Sequence, residues 1–206
     1  MTSTRVMKLL ATTLSVALPL SVAADGLTGY SAQTIIDGNT GSNAQGVLGV
    51  NMASGDSNLQ SNATATAFSA ANGRAMAQAN VVQAIDSGQF SVPDMAVAKI
   101  DGNAFSNAAG AIGINQAAGA INAQANSVAI AVGVGAEVTA DAELAQTVSG
   151  IAPTTVSAND GHYRETTVAD TAFKGAHGIV QVNQSAGIAN ATGNSFALRV
   201  QLGAPQ

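Results

Sequence analysis

Apolar and polar side chains alternate along three stretches of the chain. Leu48, Val50 and Met52 alternate with Gly49 and Asn51, and Ile112 and Ile114 repeat the pattern, as do Val180 and Val182. A period of two is the pattern of a β-strand with two different faces. Each run ends in small residues around Gly55, Gly119 or Gly187, where glycine can turn the chain at positive φ. Alternation then resumes. One parity reads Asn58, Gln60, Asn62, Thr64, Thr66, Phe68 in the first stretch. It reads Asn122, Gln124, Asn126, Val128, Ile130, Val132 in the second, and Asn190, Thr192, Asn194, Phe196, Leu198, Val200 in the third. Side chains alternate across a strand, so amides followed by apolar groups share one face.

The three stretches are copies of one unit. Residues 46–62, 110–126 and 178–194 align without gaps, at offsets of 64 and 68 residues. They share Asn51/Asn115/Asn183, Gly55/Gly119/Gly187, Asn58/Asn122/Asn190 and Asn62/Asn126/Asn194. Upstream, Ala104-Phe105-Ser106-Asn107-Ala108 matches Ala172-Phe173-Lys174-Gly175-Ala176, while the first copy has Gly41 where these have Phe. An isolated hairpin buries too little to be stable. Stacked copies would place each amide about 4.8 Å from its counterpart, in a hydrogen-bonded ladder. Leu48, Val50, Ile112, Ile114, Val128, Ile130, Val180, Val182, Phe196 and Leu198 would then form apolar stripes in a dry interior.

The expected fold class is all-β: an Asn/Gln- and Gly-rich β-solenoid of parallel stacked repeats, with less ordered or partly helical linkers. The expected organisation is a signal peptide (1–24), an N-terminal segment (25–45), repeats at 46–68, 110–132 and 178–206 with its tail, and linkers at 69–109 and 133–177. Ala75–Ala84 in the first linker is rich in alanine, the best helix former, and reads as a helix candidate. Either linker could instead add strands to the stack.

Composition narrows the function. The 206 residues include 22 Gly, no Cys and no Trp, with 3% aromatic and 9% charged residues. Ordinary globular domains carry about 25% charged residues. Only Asp56 and Arg199 among the charged residues fall within 46–68, 110–132 or 178–200; stacking like charges would be costly. Net charge −5 disfavours a nucleic-acid partner. Arg5 and Lys8, the apolar run Leu9–Leu20 and the small residues Ser21–Ala24 read as a Sec signal with cleavage after Ala23 or Ala24. After cleavage no stretch is apolar enough for stable membrane insertion. No catalytic, cofactor or metal site is expected. His162 and His177 sit in no recognisable motif, Val132-Gly-Val-Gly135 lacks a nucleotide loop's third glycine, and Asp141 and Glu143 read as an exposed acidic linker.

The pattern Gly-x-(Val/Ile)-Asn-x-Ala-Ala-Gly-x-x-Asn-x-Gln-x-Asn, clearest from Ile114 to Asn126, resembles the repeats of the Fap family of bacterial functional amyloids. It is more loosely similar to curli repeats. The resemblance implies export through the periplasm and an outer-membrane secretion apparatus to the cell surface. It also implies self-assembly into biofilm-matrix fibrils with homologous subunits. The self-assembly residues would be the ladder Asn51, Asn58, Gln60, Asn62, Asn115, Asn122, Gln124, Asn126, Asn183, Asn190 and Asn194, with turns at Gly55, Gly119 and Gly187. Two other expectations are a monomeric β-solenoid adhesin for carbohydrate or a host surface, and a periplasmic or outer-membrane helper of fibre assembly.

Overall fold

A computed structural model describes residues 29–70, 73–134, 137–155 and 162–203. The signal segment lies outside the described residues. The chain winds into three coils stacked in parallel. The first coil contains β1 (Ser31–Ile36), β2 (Gln45–Ser54), β3 (Leu59–Ser69) and β4 (Arg74–Ser91). The second contains β5 (Met95–Ile100), β6 (Ala109–Ala120), β7 (Ala123–Val134) and β8 (Glu137–Thr155). The third contains β9 (Tyr163–Val168), β10 (His177–Ile188) and β11 (Ala191–Leu202). Equivalent strands pair into four parallel sheets: β1-β5-β9, β2-β6-β10, β3-β7-β11 and β4-β8.

The repeat offsets reappear as strand register. Asn51 pairs with Asn115 and Asn183, and Asn62 with Asn126 and Asn194. The β4–β8 pair begins at Arg74 against Glu137, one residue out of step, and an irregularity between Phe90 and Ser91 restores the offset of 64. The four residues that lengthen the second interval fall between β8 and β9, because β5 and β9 already pair at an offset of 68.

The sheets form successive layers. Ile36 and Ile100 of the first sheet pack on Ile112 and Ile114 of the second, with Leu48, Val50, Phe105 and Val182 around them. The second sheet turns its other face, the asparagine face, to the third. The third sheet packs an alanine face on the fourth: Ala129 and Ala131 meet Ala75, Ala77, Ala79 and Val138. Short side chains let these layers approach closely, which fits a chain so poor in aromatics. Phe105 and Phe173 stack with ring centroids 5.2 Å apart, and Phe90 is buried against Ile121.

Two sequence expectations need correction. Ala75–Ala84 belongs to strand β4, and no helix occurs among the described residues. Ala75, Ala77, Ala79 and Val81 point inward while Met76 and Val82 are exposed. Packing of that alternate face outweighs alanine's helix propensity, which is only a weak prior. The linkers therefore carry strands: β4 and β5 in the first, β8 and β9 in the second. The second correction concerns the dry interior. Val180, Phe196 and Leu198 are exposed and Ile130 is half-buried. Val180, Phe196 and Leu198 belong to the third coil, whose strands β10 and β11 have a neighbouring strand on one side only.

Candidate functional site

The candidate site is the set of amide columns running through the coils. It begins at the turns between the second and third sheets. Each turn has two residues at positive φ: Gly55 and Ser57, Gly119 and Ile121, Gly187 and Ala189. The glycine is required by the stack. A Cβ on Gly119 would lie 1.9 Å from the Gly187 carbonyl oxygen, and one on Gly55 would lie 2.1 Å from that of Gly119. Backbone atoms cannot yield at such distances.

Directly after the turn, Asn122 Nδ2 donates to Asn58 Oδ1 at 2.8 Å and to the Gly187 carbonyl at 3.1 Å. Asn190 Nδ2 donates to Asn122 Oδ1 at 2.7 Å. The backbone N–H of Asn122 and of Asn190 also donates to the Oδ1 of the coil before. Each arch asparagine thus ties the neighbouring turns together.

Two further asparagines per coil form a double ladder between the second and third sheets. Within a coil, Asn126 Nδ2 donates to Asn115 Oδ1 at 3.0 Å. Between coils, Asn126 donates to Asn62 at 2.9 Å and Asn194 to Asn126 at 3.0 Å. Asn115 donates to Asn51 and Asn183 to Asn115, both at 2.9 Å. Asn115, Asn122 and Asn126 are almost wholly buried. A buried amide needs partners for its N–H groups and its oxygen, and an in-register stack of identical amides supplies them.

Gln60 Nε2 donates to Gln124 Oε1 at 2.8 Å, and Gln124 Nε2 reaches Ser185 in the third coil. The structure brings every expected ladder residue into a column with its counterparts. It also reveals columns that the sequence reading left out. Gln116 Nε2 donates to the backbone carbonyls of Thr34 and Lys99, and Gln184 Nε2 donates to Gln116 Oε1, linking the first and second sheets. Their signal was present, since both residues follow the shared asparagine. Gln146 Nε2 donates to Gln83 Oε1 in the fourth sheet; that pair lies in the linkers, where no repeat was evident.

Titratable groups lie at the periphery. Hydrogen bonds from Lys99 and from the Gly102 N–H hold the Asp101 carboxyl below its usual range. Partial burial lowers Arg164, whose guanidinium donates to the backbone carbonyl of Pro93. His162 and His177 are exposed, as are Asp141 and Glu143 on the outer face of β8. Among the described residues no three His, Cys, Asp or Glu side chains are grouped to hold a metal ion.

A model described as the functional amyloid protein FapB/FapC family matches residues 19–201. The chain belongs to the FapB/FapC family. It is 37% identical over 138 residues to the functional amyloid subunit FapC of Pseudomonas aeruginosa. That alignment covers 62% of this chain and 39% of the relative, so the chain spans about two fifths of the relative's length. No solved structure matches the chain. The amide columns place this FapB/FapC member's three repeats in register within one molecule.

Proposed function

We propose that the chain is an exported, non-enzymatic subunit of extracellular amyloid-like fibrils in the biofilm matrix. It assembles by adding coils of successive molecules to one stack. The observation that carries this reading is the shared register of three coils about three asparagine columns. A coil already uses its neighbour as a template, and the outer coils present the same strand edges and amides without a neighbour. Unpaired edges of this kind accept further strands. The partners are further copies and homologous subunits, and the route is the Sec pathway, the periplasm and an outer-membrane secretion apparatus. Family membership and similarity to a functional amyloid subunit support the reading.

The test is electron microscopy with fibre diffraction on protein beginning at Asp25, held at micromolar concentration without seeds. Unbranched fibrils with reflections at about 4.8 Å and 10 Å are expected. A persistent soluble monomer rich in β-structure would overturn the fibril reading and favour the adhesin.

A further inference from the structure

Buried polar side-chain atoms without a hydrogen-bond partner fall only in the outer coils among the described residues. They are Thr34 Oγ1 in the first coil, and Gln181 Oε1 and Thr192 Oγ1 in the third. The middle coil, covered on both sides, has none. Leaving such groups unpaired is costly, so both ends of the molecule are incomplete in a way that its centre is not.

The asparagine ladders also have a direction. In all three columns the side-chain nitrogen of the later coil donates to the side-chain oxygen of the earlier one. Gln60 to Gln124 runs the other way. No donor among the described residues reaches Asn190 Oδ1 or Asn194 Oδ1, so the third coil presents acceptors. The first coil presents donors: Asn58 Nδ2 donates to the Gly119 carbonyl of the second coil at 2.9 Å and, lacking an asparagine beneath it, turns its other N–H to the Ser54 carbonyl at 3.3 Å.

We propose that these faces are the two halves of one interface, with the third coil of one molecule receiving the first coil of a second copy. This rests on the fibril reading above and adds a direction to it: every subunit points the same way and the fibre is polar. Continuing the register sets Asn190 against the second copy's Asn58, Thr192 against its Gln60 and Asn194 against its Asn62. Asn58 and Asn62 then donate to the open oxygens, and Gln60 brings an amide to the buried Thr192 hydroxyl. Joining two third-coil faces would instead oppose acceptor to acceptor.

The charges fit the same junction. Arg164 falls on Ala32, Glu165 on Gln33, Asp170 on Gly38, Lys174 on Ser42 and Arg199 on Ala67, so no like charges meet. Head-to-tail contacts that do not close into a ring propagate as filaments.

The experiment uses the column Thr66–Ile130–Leu198, in which Thr66 and Leu198 flank Ile130 from opposite sides. Within one molecule positions 66 and 198 are two strand spacings apart; across the proposed junction they are one spacing apart, about 4.8 Å. Two variants are compared, Thr66→Glu with Leu198→Glu and Thr66→Glu with Leu198→Lys. Each is elongated from its own seeds. At low salt the Glu/Glu variant should elongate about ten-fold more slowly than the Glu/Lys variant, because like charges meet only in the first. The gap should narrow at high salt. Equal slowing of both variants, the result if like faces meet, would overturn the direction, and so would equal rates near wild type. Absence of fibrils from the wild-type chain would instead remove the fibril reading itself, and this interface with it.

Discussion

The second and third coils carry nearly the same repeat yet differ in what surrounds it. Ala129 and Ala131 of β7 are wholly buried against the fourth sheet. Their register partners in β11, Ala197 and Arg199, are exposed. An arginine stands where the middle coil needs a methyl group, because no described strand of the fourth sheet covers it there. Gln124 is wholly buried between Gln60 and Thr192, whereas Thr192 has a neighbouring coil on one side only. Burial in this fold is set by the number of coils on either side more than by a strand's own residues. The middle coil shows what an outer coil would become in a longer stack.

Gly119→Ala and Gly187→Ala test this comparison with the largest expected effect. A methyl at 119 meets the Gly187 carbonyl oxygen at 1.9 Å, whereas one at 187 meets nothing closer than the Asn190 side-chain nitrogen at 3.5 Å. Both positions have positive φ, so both variants bear backbone strain. Only Gly119→Ala adds a collision with backbone. It should cost at least about 4 kcal/mol, and Gly187→Ala about 1–2 kcal/mol, in urea denaturation of freshly prepared monomer. Equal losses would mean that the coils are not held as tightly as their register implies.

A smaller contrast separates Asn126→Ala from Asn194→Ala. Removing Asn126 leaves the buried amides of Asn115 and Asn183 and the half-buried amides of Asn62 and Asn194 short of partners. The expected cost is about 2–3 kcal/mol, against about 1 kcal/mol at half-exposed Asn194. In fibrils the Asn194 change should gain in effect, because that position acquires a second neighbour. Hydrogen exchange of β7 and β11 amides in monomer and fibril would measure both.

The smallest effect lies at the rim. Asp101 has its pKa lowered by Lys99 and by the Gly102 N–H. Its contribution is therefore present above the unfolded-state pKa and is lost as pH falls through the lower folded-state value. Lys99→Gln should weaken the protein slightly at neutral pH, with the difference from wild type vanishing in acid. Denaturation midpoints across an acid titration would show this. An unchanged difference at low pH would assign the effect to packing of the lysine stem.

Much of this was legible in the chain, because a stack in register writes its contacts as sequence offsets. The 64- and 68-residue offsets became strand registers, and the shared asparagines became columns. The fourth sheet was harder to see. Ala75–Ala84 has alternating alanines and polar residues, but alanine alone is compatible with a helix, and the linkers share no motif with each other. Gln83 and Gln146 pair only once both linkers are known to be strands. The stripe at Ile130 and Leu198 reads as core from alternation, but alternation does not reveal that Leu198 lies in a coil with a neighbour on one side only.

Local properties were thus determined by the sequence alone: alternation, turn glycines, the order of amides along a face, and the exclusion of charge from the repeats. Each depends on a residue and its near neighbours along the chain. Tertiary structure decided which strand faces were covered, that the linkers became a fourth layer, and that the two ends differ as donors and acceptors. Those properties depend on residues far apart along the chain, and an amide gains its direction only when a second amide accepts its proton.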